Sequence, residues 1–203
     1  MGVVENMVEK RSDLPNSSNL PQGQVASAME RDAVYGLIGK LVCTWSNNES
    51  VLSIVLMHLL KTDRAGAILV FGTLNTTRAR IDMIRRLAKT RLGGAAELAR
   101  RLEKLMGQFE RSTRTRNDFL HSMFVFDTDG CITHTQTMRI DERKGQVRYG
   151  TYKPVDATRL AYVADEIEKL TAWNHVIWSL LPELEEHMTG ETGLSADDVV
   201  ETQ

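Results

Sequence analysis

Cysteine is scarce in this sequence, with Cys43 and Cys131 the two present among 203 residues. Two cysteines build neither a disulfide framework nor a four-ligand zinc site, so both read as small buried or half-buried side chains in a reducing compartment. Long apolar runs are missing as well. The longest, Val51 to Leu60, is interrupted by Ser53 and His58. It falls far short of the roughly 18–20 residues a membrane span requires and reads as a buried helix. No basic-then-apolar stretch opens the chain, which argues against a secretory signal. A cytoplasmic protein without a membrane partner is the expectation. Phosphate-loop and nucleophile-elbow motifs are also absent, since Gly93-Gly94 is not followed by Lys-Ser or Lys-Thr. His58, His134, His175 and His187 have no partners at metal-ligand spacing, so no metal or cofactor is expected. Asp127 and Asp129 do not continue into a calcium loop and read as a plain turn.

Charge is plentiful but unevenly spread. The formal net charge is -2. Between Arg78 and Arg116, however, twelve Lys and Arg residues face four acidic ones, a local net charge of +8. From Glu183 onward there are seven acidic residues and no Lys or Arg. A basic middle and an acidic end suggest an anionic partner, masking of the body by the tail, or simply solvated helix faces.

With 42% hydrophobic residues the chain can bury a core. Helical spacing dominates. Residues 1–26, with Pro15, Pro21 and a polar Asn-Ser-Ser-Asn run, read as a flexible leader. Ser27 and Glu30 have capping-box spacing, and Val34, Leu37, Ile38, Leu41, Val42 and Trp45 form a stripe of threes and fours. Asn47 and Asn48 are expected to end that helix and cap a second, more buried one over 49–61. A third helix is expected over 64–91 and a fourth from about Ala95. Gly93-Gly94 lies between them and is read as a left-handed terminus.

After Phe124 the period changes. Turn signals at Asp127–Gly130 and Asp141–Gly145 separate β-branched segments, so a small antiparallel insertion is expected over 124–152. Polar side chains on both faces of its middle strand suggest that it projects from the bundle. Asp156 is the expected cap of a last helix whose stripe runs Leu160, Val163, Ile167, Leu170, Asn174, Ile177 and Leu181. A single Asn in such a seam often sets pairing, which suggests a homodimer, though the same stripe would equally suit the bundle core. All three tryptophans, Trp45, Trp173 and Trp178, read as packing residues. The fold class is therefore mainly α: about five helices over 27–187, a small β-insertion before the last one, and an acidic flexible tail over 188–203.

One short stretch could carry chemistry. Arg116 continues the apolar stripe of the fourth helix at a spacing of four from Ser112 and from Leu120. A guanidinium there must be paired or face a cleft. Asn117 and His121 are four apart and share a face, whereas Arg116 and His121 diverge by about 140° on a straight helix. They converge only if the helix loosens near His121 or if two subunits meet. A histidine can act as a general acid or base, and an arginine can hold an anionic group and stabilise charge building on its oxygens.

Arg116, Asn117 and His121 resemble the signature of the HEPN superfamily, in which four to six residues separate an Arg from a His and a polar residue, often Asn, commonly follows the Arg. The resemblance implies a bundle of four or five helices and, in active members, a dimeric metal-independent endoribonuclease. Arg116, His121 and Asn117 would then be catalytic, with Arg111 and Arg114 binding the RNA backbone. The β-insertion directly after His121 departs from the simplest family pattern. The alternative is a non-catalytic domain that binds an acidic protein or nucleic acid through the basic helices.

Overall fold

The computed structural model of the protein describes residues 25–137, 140–143 and 146–190. Among them are five helices: α1 (Val25–Leu60), α2 (Arg64–Thr73), α3 (Thr77–Arg91), α4 (Ala96–Leu120) and α5 (Ala157–Gly190). Between α4 and α5 lie five short strands: β1 (Ser122–Phe126), β2 (Ile132–Thr137), β3 (Ile140–Arg143), β4 (Gln146–Tyr149) and β5 (Tyr152–Pro154). A mainly helical protein with a small antiparallel β-insertion before the last helix is what the periodicity predicts. Of the leader expected over 1–26 and the tail expected over 188–203, residues 1–24 and 191–203 lie outside the described residues, whereas 25–26 and 188–190 are helical, so α1 begins before the expected cap at Ser27. Two compact units divide the chain, one of residues up to Ile38 with Asp118–Tyr162, the other of Gly39–Asn117 with residues from Val163 onward.

The larger, second unit is helical. Its centre is Phe109, fully buried and stacked between Trp45 at 5.5 Å and Trp173 at 5.0 Å between ring centroids. Both indole N–H groups are satisfied, Trp45 donating to the Thr113 hydroxyl and Trp173 to the Leu105 carbonyl. Around this stack the core is closed by Leu52, Leu56, Ile81, Ile84, Leu102 and Ile177. Trp178 does not join it and is about half exposed, against the packing role expected for it. Cys43 is likewise exposed rather than buried.

Two helix boundaries differ from the sequence expectation, in opposite senses. No break occurs at Asn47-Asn48, and α1 runs straight through. Asn48 is buried, and its amide donates to the Leu170 carbonyl at 2.7 Å while accepting from the Asn174 amide at 2.6 Å. A side chain committed to α5 is not available to cap a helix. Conversely, the helix expected over 64–91 is interrupted after Thr73. Thr76 caps α3 by accepting from the Ala79 N–H, and Asp63 caps α2 by accepting from the Gly66 N–H. Lys61 ends α1 with a positive φ of 51°. There the N–H groups of Lys61 and Thr62 reach back to the His58 and Met57 carbonyls, which is a Schellman closure. Neither Gly93 nor Gly94 has a positive φ, so that link is an ordinary turn rather than a left-handed terminus.

The stripe predicted for α5 faces this unit's core. Val163, Leu170, Ile177 and Leu181 are buried, and Asn174 meets Asn48. The seam that suggested a homodimer is therefore occupied within the chain. α5 passes through Pro182 and continues to Gly190, beyond the expected end of the helical region at 187, with Leu184 and Met188 buried. The Asn48 pair yields a direct expectation. Asn48→Ala leaves the Leu170 carbonyl and the Asn174 amide without their partner and should cost about 1–3 kcal/mol. Chemical denaturation measures it; a loss below 0.5 kcal/mol would contradict the role of the pair.

The first unit carries the β-insertion. β1, β2 and β5 form an antiparallel sheet in the order β1-β2-β5, and β3 pairs with β4 as a separate hairpin. The Asp127–Gly130 turn is held by the Asp127 carboxylate, which accepts from the N–H groups of Asp129 and Cys131. Gly130 supplies the positive φ of 81° the turn requires. β2 does carry polar side chains on both faces, but neighbouring Thr135 and Gln136 are both buried. Asp156 caps α5, its carboxylate accepting from the Arg159 N–H at 2.8 Å.

Candidate functional site

The basic segment of the second unit divides cleanly into paired and unpaired charges. Arg80 binds Glu49 at 2.8 Å and lies over the Phe71 ring. Arg85 reaches from α3 to α4, donating through Nε to Glu103 and through Nη1 to Glu110 at 3.0 Å. Burial opposes its charge, but hydrogen bonds and attraction from Glu110 and Glu103 outweigh that and raise its pKa. Arg78, Arg100 and Arg101 pair with Asp82, Glu97 and Glu183. Arg86, Lys89, Arg91, Lys104, Arg111 and Arg114 are all exposed, and none forms an ion pair among the described residues. Every acidic residue of the segment is engaged, so its surplus positive charge faces solvent. On α4, positions 104, 111 and 114 are separated by seven and three, which puts Lys104, Arg111 and Arg114 along one helix face. Their partner helix α3 is fastened alongside by the Arg85 bridges.

Arg116 stands apart from those six. It is partly buried, with its guanidinium 4.5 Å over the Trp45 ring. Nη1 donates to the Asn117 amide oxygen at 2.9 Å, and Nε is buried without a hydrogen-bond partner among the described residues. Burial pulls its pKa below the usual arginine value, and the charge of Glu49 offsets only part of this. Asn117 is thus engaged with Arg116. These two residues belong to the second unit.

His121 belongs to the first unit, where it is exposed in the turn between the end of α4 at Leu120 and the start of β1 at Ser122. The helix does end at the histidine, as the strand signal beyond it predicts. Beside it in sequence, Asp118 pairs with Lys153 of β5 at 2.5 Å. Phe119 is buried under the Arg159 guanidinium, 4.4 Å from its ring centroid. Arg159 donates through Nη1 to the Thr135 hydroxyl and to the carbonyls of Lys153 and Pro154, and its buried Nη2 has no hydrogen-bond partner among the described residues. Burial lowers its pKa against the pull of Asp118 and Asp156.

Sequence reasoning missed Arg159 and Lys153 as partners of the Asp118–Phe119 segment. The available signal was weak: Arg159 falls three residues after a capping Asp, in the first turn of a helix. Nothing local indicates that its side chain folds back over a phenylalanine forty residues earlier. Gly150 is a second missed constraint. Its φ is +71°, and a Cβ there would lie 2.5 Å from the Thr137 carbonyl oxygen, so a side chain at this position is excluded. Comparison of the chain with protein-family models, with characterised proteins and with solved structures finds no match in any of the three.

Proposed function

We propose that this protein is an RNA-binding helical domain whose α3–α4 face holds the phosphate backbone. One observation carries the reading: six exposed cations on two adjacent helices have no carboxylate partners among the described residues. Unneutralised cations in a row release counterions when a polyanion binds, which gives sequence-tolerant affinity and a steep salt dependence. Charges set along one face of a rigid helix, as Lys104, Arg111 and Arg114 are, suit a partner with regularly repeated charge, as a polynucleotide has. Fluorescence anisotropy with a labelled ribo-oligonucleotide across a salt series tests this. Affinity that falls linearly in a log–log plot supports it. Equal or tighter binding of an acidic peptide of matched charge would instead favour an acidic protein partner.

A second reading, the metal-independent ribonuclease suggested by the HEPN-like signature, rests on the exposed His121 and on the unpartnered Arg116 Nε. The Trp45 and Asn117 contacts of Arg116 favour a structural role instead. The two are separable with paired variants. On the structural reading Arg116→Ala loses its ring contact and hydrogen bond and destabilises by about 1–3 kcal/mol. His121→Ala, at an exposed turn, changes stability by less than about 0.5 kcal/mol. Neither variant has any RNA cleavage to lose. If the parent protein cleaves RNA in EDTA to a 2′,3′-cyclic phosphate, and both variants abolish it, the enzyme reading replaces the binding one. Thermal melts run beside a gel cleavage assay decide.

A further inference from the structure

Gly107 sits in the middle of α4, on the face that carries Lys104, Arg111 and Arg114. Glycine is among the poorest residues for a helix interior, because it orders the most backbone freedom and buries nothing. Here the fold does not demand it. Its φ is not positive, and a Cβ would make ordinary contacts only. Those contacts are informative: the nearest heavy atoms are Arg111 Nη1 and Arg85 Nη2, each 3.8 Å from the Cβ position. Two guanidinium groups therefore converge on the space above a bare stretch of helix backbone.

Both keep donors in reserve. Arg85 uses Nε for Glu103 and Nη1 for Glu110, which clamp the side chain in place, while Nη2 makes no hydrogen bond among the described residues. Arg111 is exposed and makes no ion pair among the described residues. Arg85 is pre-positioned, so little of its conformational freedom is lost when an anion arrives. Guanidinium donors suit the paired oxygens of a phosphate better than an ammonium does. The lack of a side chain at 107 lets such a group approach the helix closely.

We propose that Gly107, flanked by Arg85 and Arg111, is the seat of a phosphodiester group of the bound RNA. This rests on the RNA-binding reading and adds a specific contact to it. Long-range attraction alone would be indifferent to a methyl group at 107, because Gly107→Ala leaves every charge in place. A seated phosphate is not indifferent.

The test combines Gly107→Ala with amide NMR of the labelled protein at constant ionic strength. The probes are an oligouridylate roughly twelve nucleotides long and inorganic phosphate. Expected are a shift of the Gly107 amide on adding the oligonucleotide and about eightfold weaker oligonucleotide binding by Gly107→Ala at 50 mM salt, the equivalent of one phosphate contact. The variant should melt no lower than the parent, since alanine favours the helix. If the oligonucleotide shifts other α3 and α4 amides but leaves Gly107 unmoved, or binds the variant equally, the seat is overturned and the RNA-binding reading stands. If only inorganic phosphate shifts Gly107, and does so in the parent and not in the variant, the seat is upheld for a free phosphate and the RNA-binding reading fails. No response to either probe overturns both.

Discussion

Phe109→Ala should destabilise the protein by about 3–5 kcal/mol, among the largest effects a single substitution can have here. Phe109 is fully buried and stacked on both faces, by Trp45 and by Trp173. Its removal takes away a large apolar side chain and opens a cavity between two indoles. Those indoles cannot simply collapse inward, because each is tethered by its N–H, Trp45 to Thr113 and Trp173 to Leu105. For a chain of this size the melting temperature should fall by on the order of 10 °C. Tryptophan emission should shift to the red as the stack loosens. Phe109→Leu, which keeps most of the volume, should lose less than half as much. A decrease under 1 kcal/mol for Phe109→Ala would show that the aromatic stack is not the centre of the helical unit.

The largest effect on binding should come from Lys104, Arg111 and Arg114 together. Replacing all three by glutamine should reduce the salt slope for single-stranded RNA by about 2, since each lost phosphate contact removes about 0.7. Extrapolated from 1 M salt, that corresponds to roughly 500-fold weaker binding at 50 mM and about 30-fold at 200 mM. Stability should change little, because none of these exposed side chains has an ion pair to lose among the described residues. Arg64→Gln, which removes an exposed charge from α2, is the control for net charge alone. An equal loss from that variant, charge for charge, or an unchanged slope in the triple variant, would remove the α3–α4 face from the account.

Opposite outcomes at two similar signals show how far local reading goes. Asn47-Asn48 and Thr76 are all residues that favour helix caps, and local chemistry ranks the asparagines at least as highly. In the folded chain Thr76 caps and Asn48 does not, because Asn48 is bound to Leu170 and Asn174 across the core. Pro182 lies inside α5, where proline disfavours a helix, and the burial of Leu184 and Met188 beyond it favours continuing the helix. Arg116 was recognisable as an odd charge on an apolar stripe, but its resting place on Trp45, seventy-one residues earlier, was not.

By itself the sequence determined what depends on neighbours along the chain. The 3.6-residue period marks the helices, the Asp127–Gly130 and Asp156 signals mark a turn and a cap, and the excess of Lys and Arg marks α3 and α4 as a cationic region. Tertiary structure decided which of those charges remain free. Arg85 is clamped through Nε and Nη1 by Glu103 and Glu110 from the adjoining helix, Arg101 pairs with Glu183 from α5, and Arg111 forms no ion pair among the described residues. It also decided that the α5 stripe is a core seam, with Asn174 bound to Asn48. The physical reason is range. Periodicity and capping act over a few residues, whereas ion pairing and burial depend on which distant segments share a few ångströms of space.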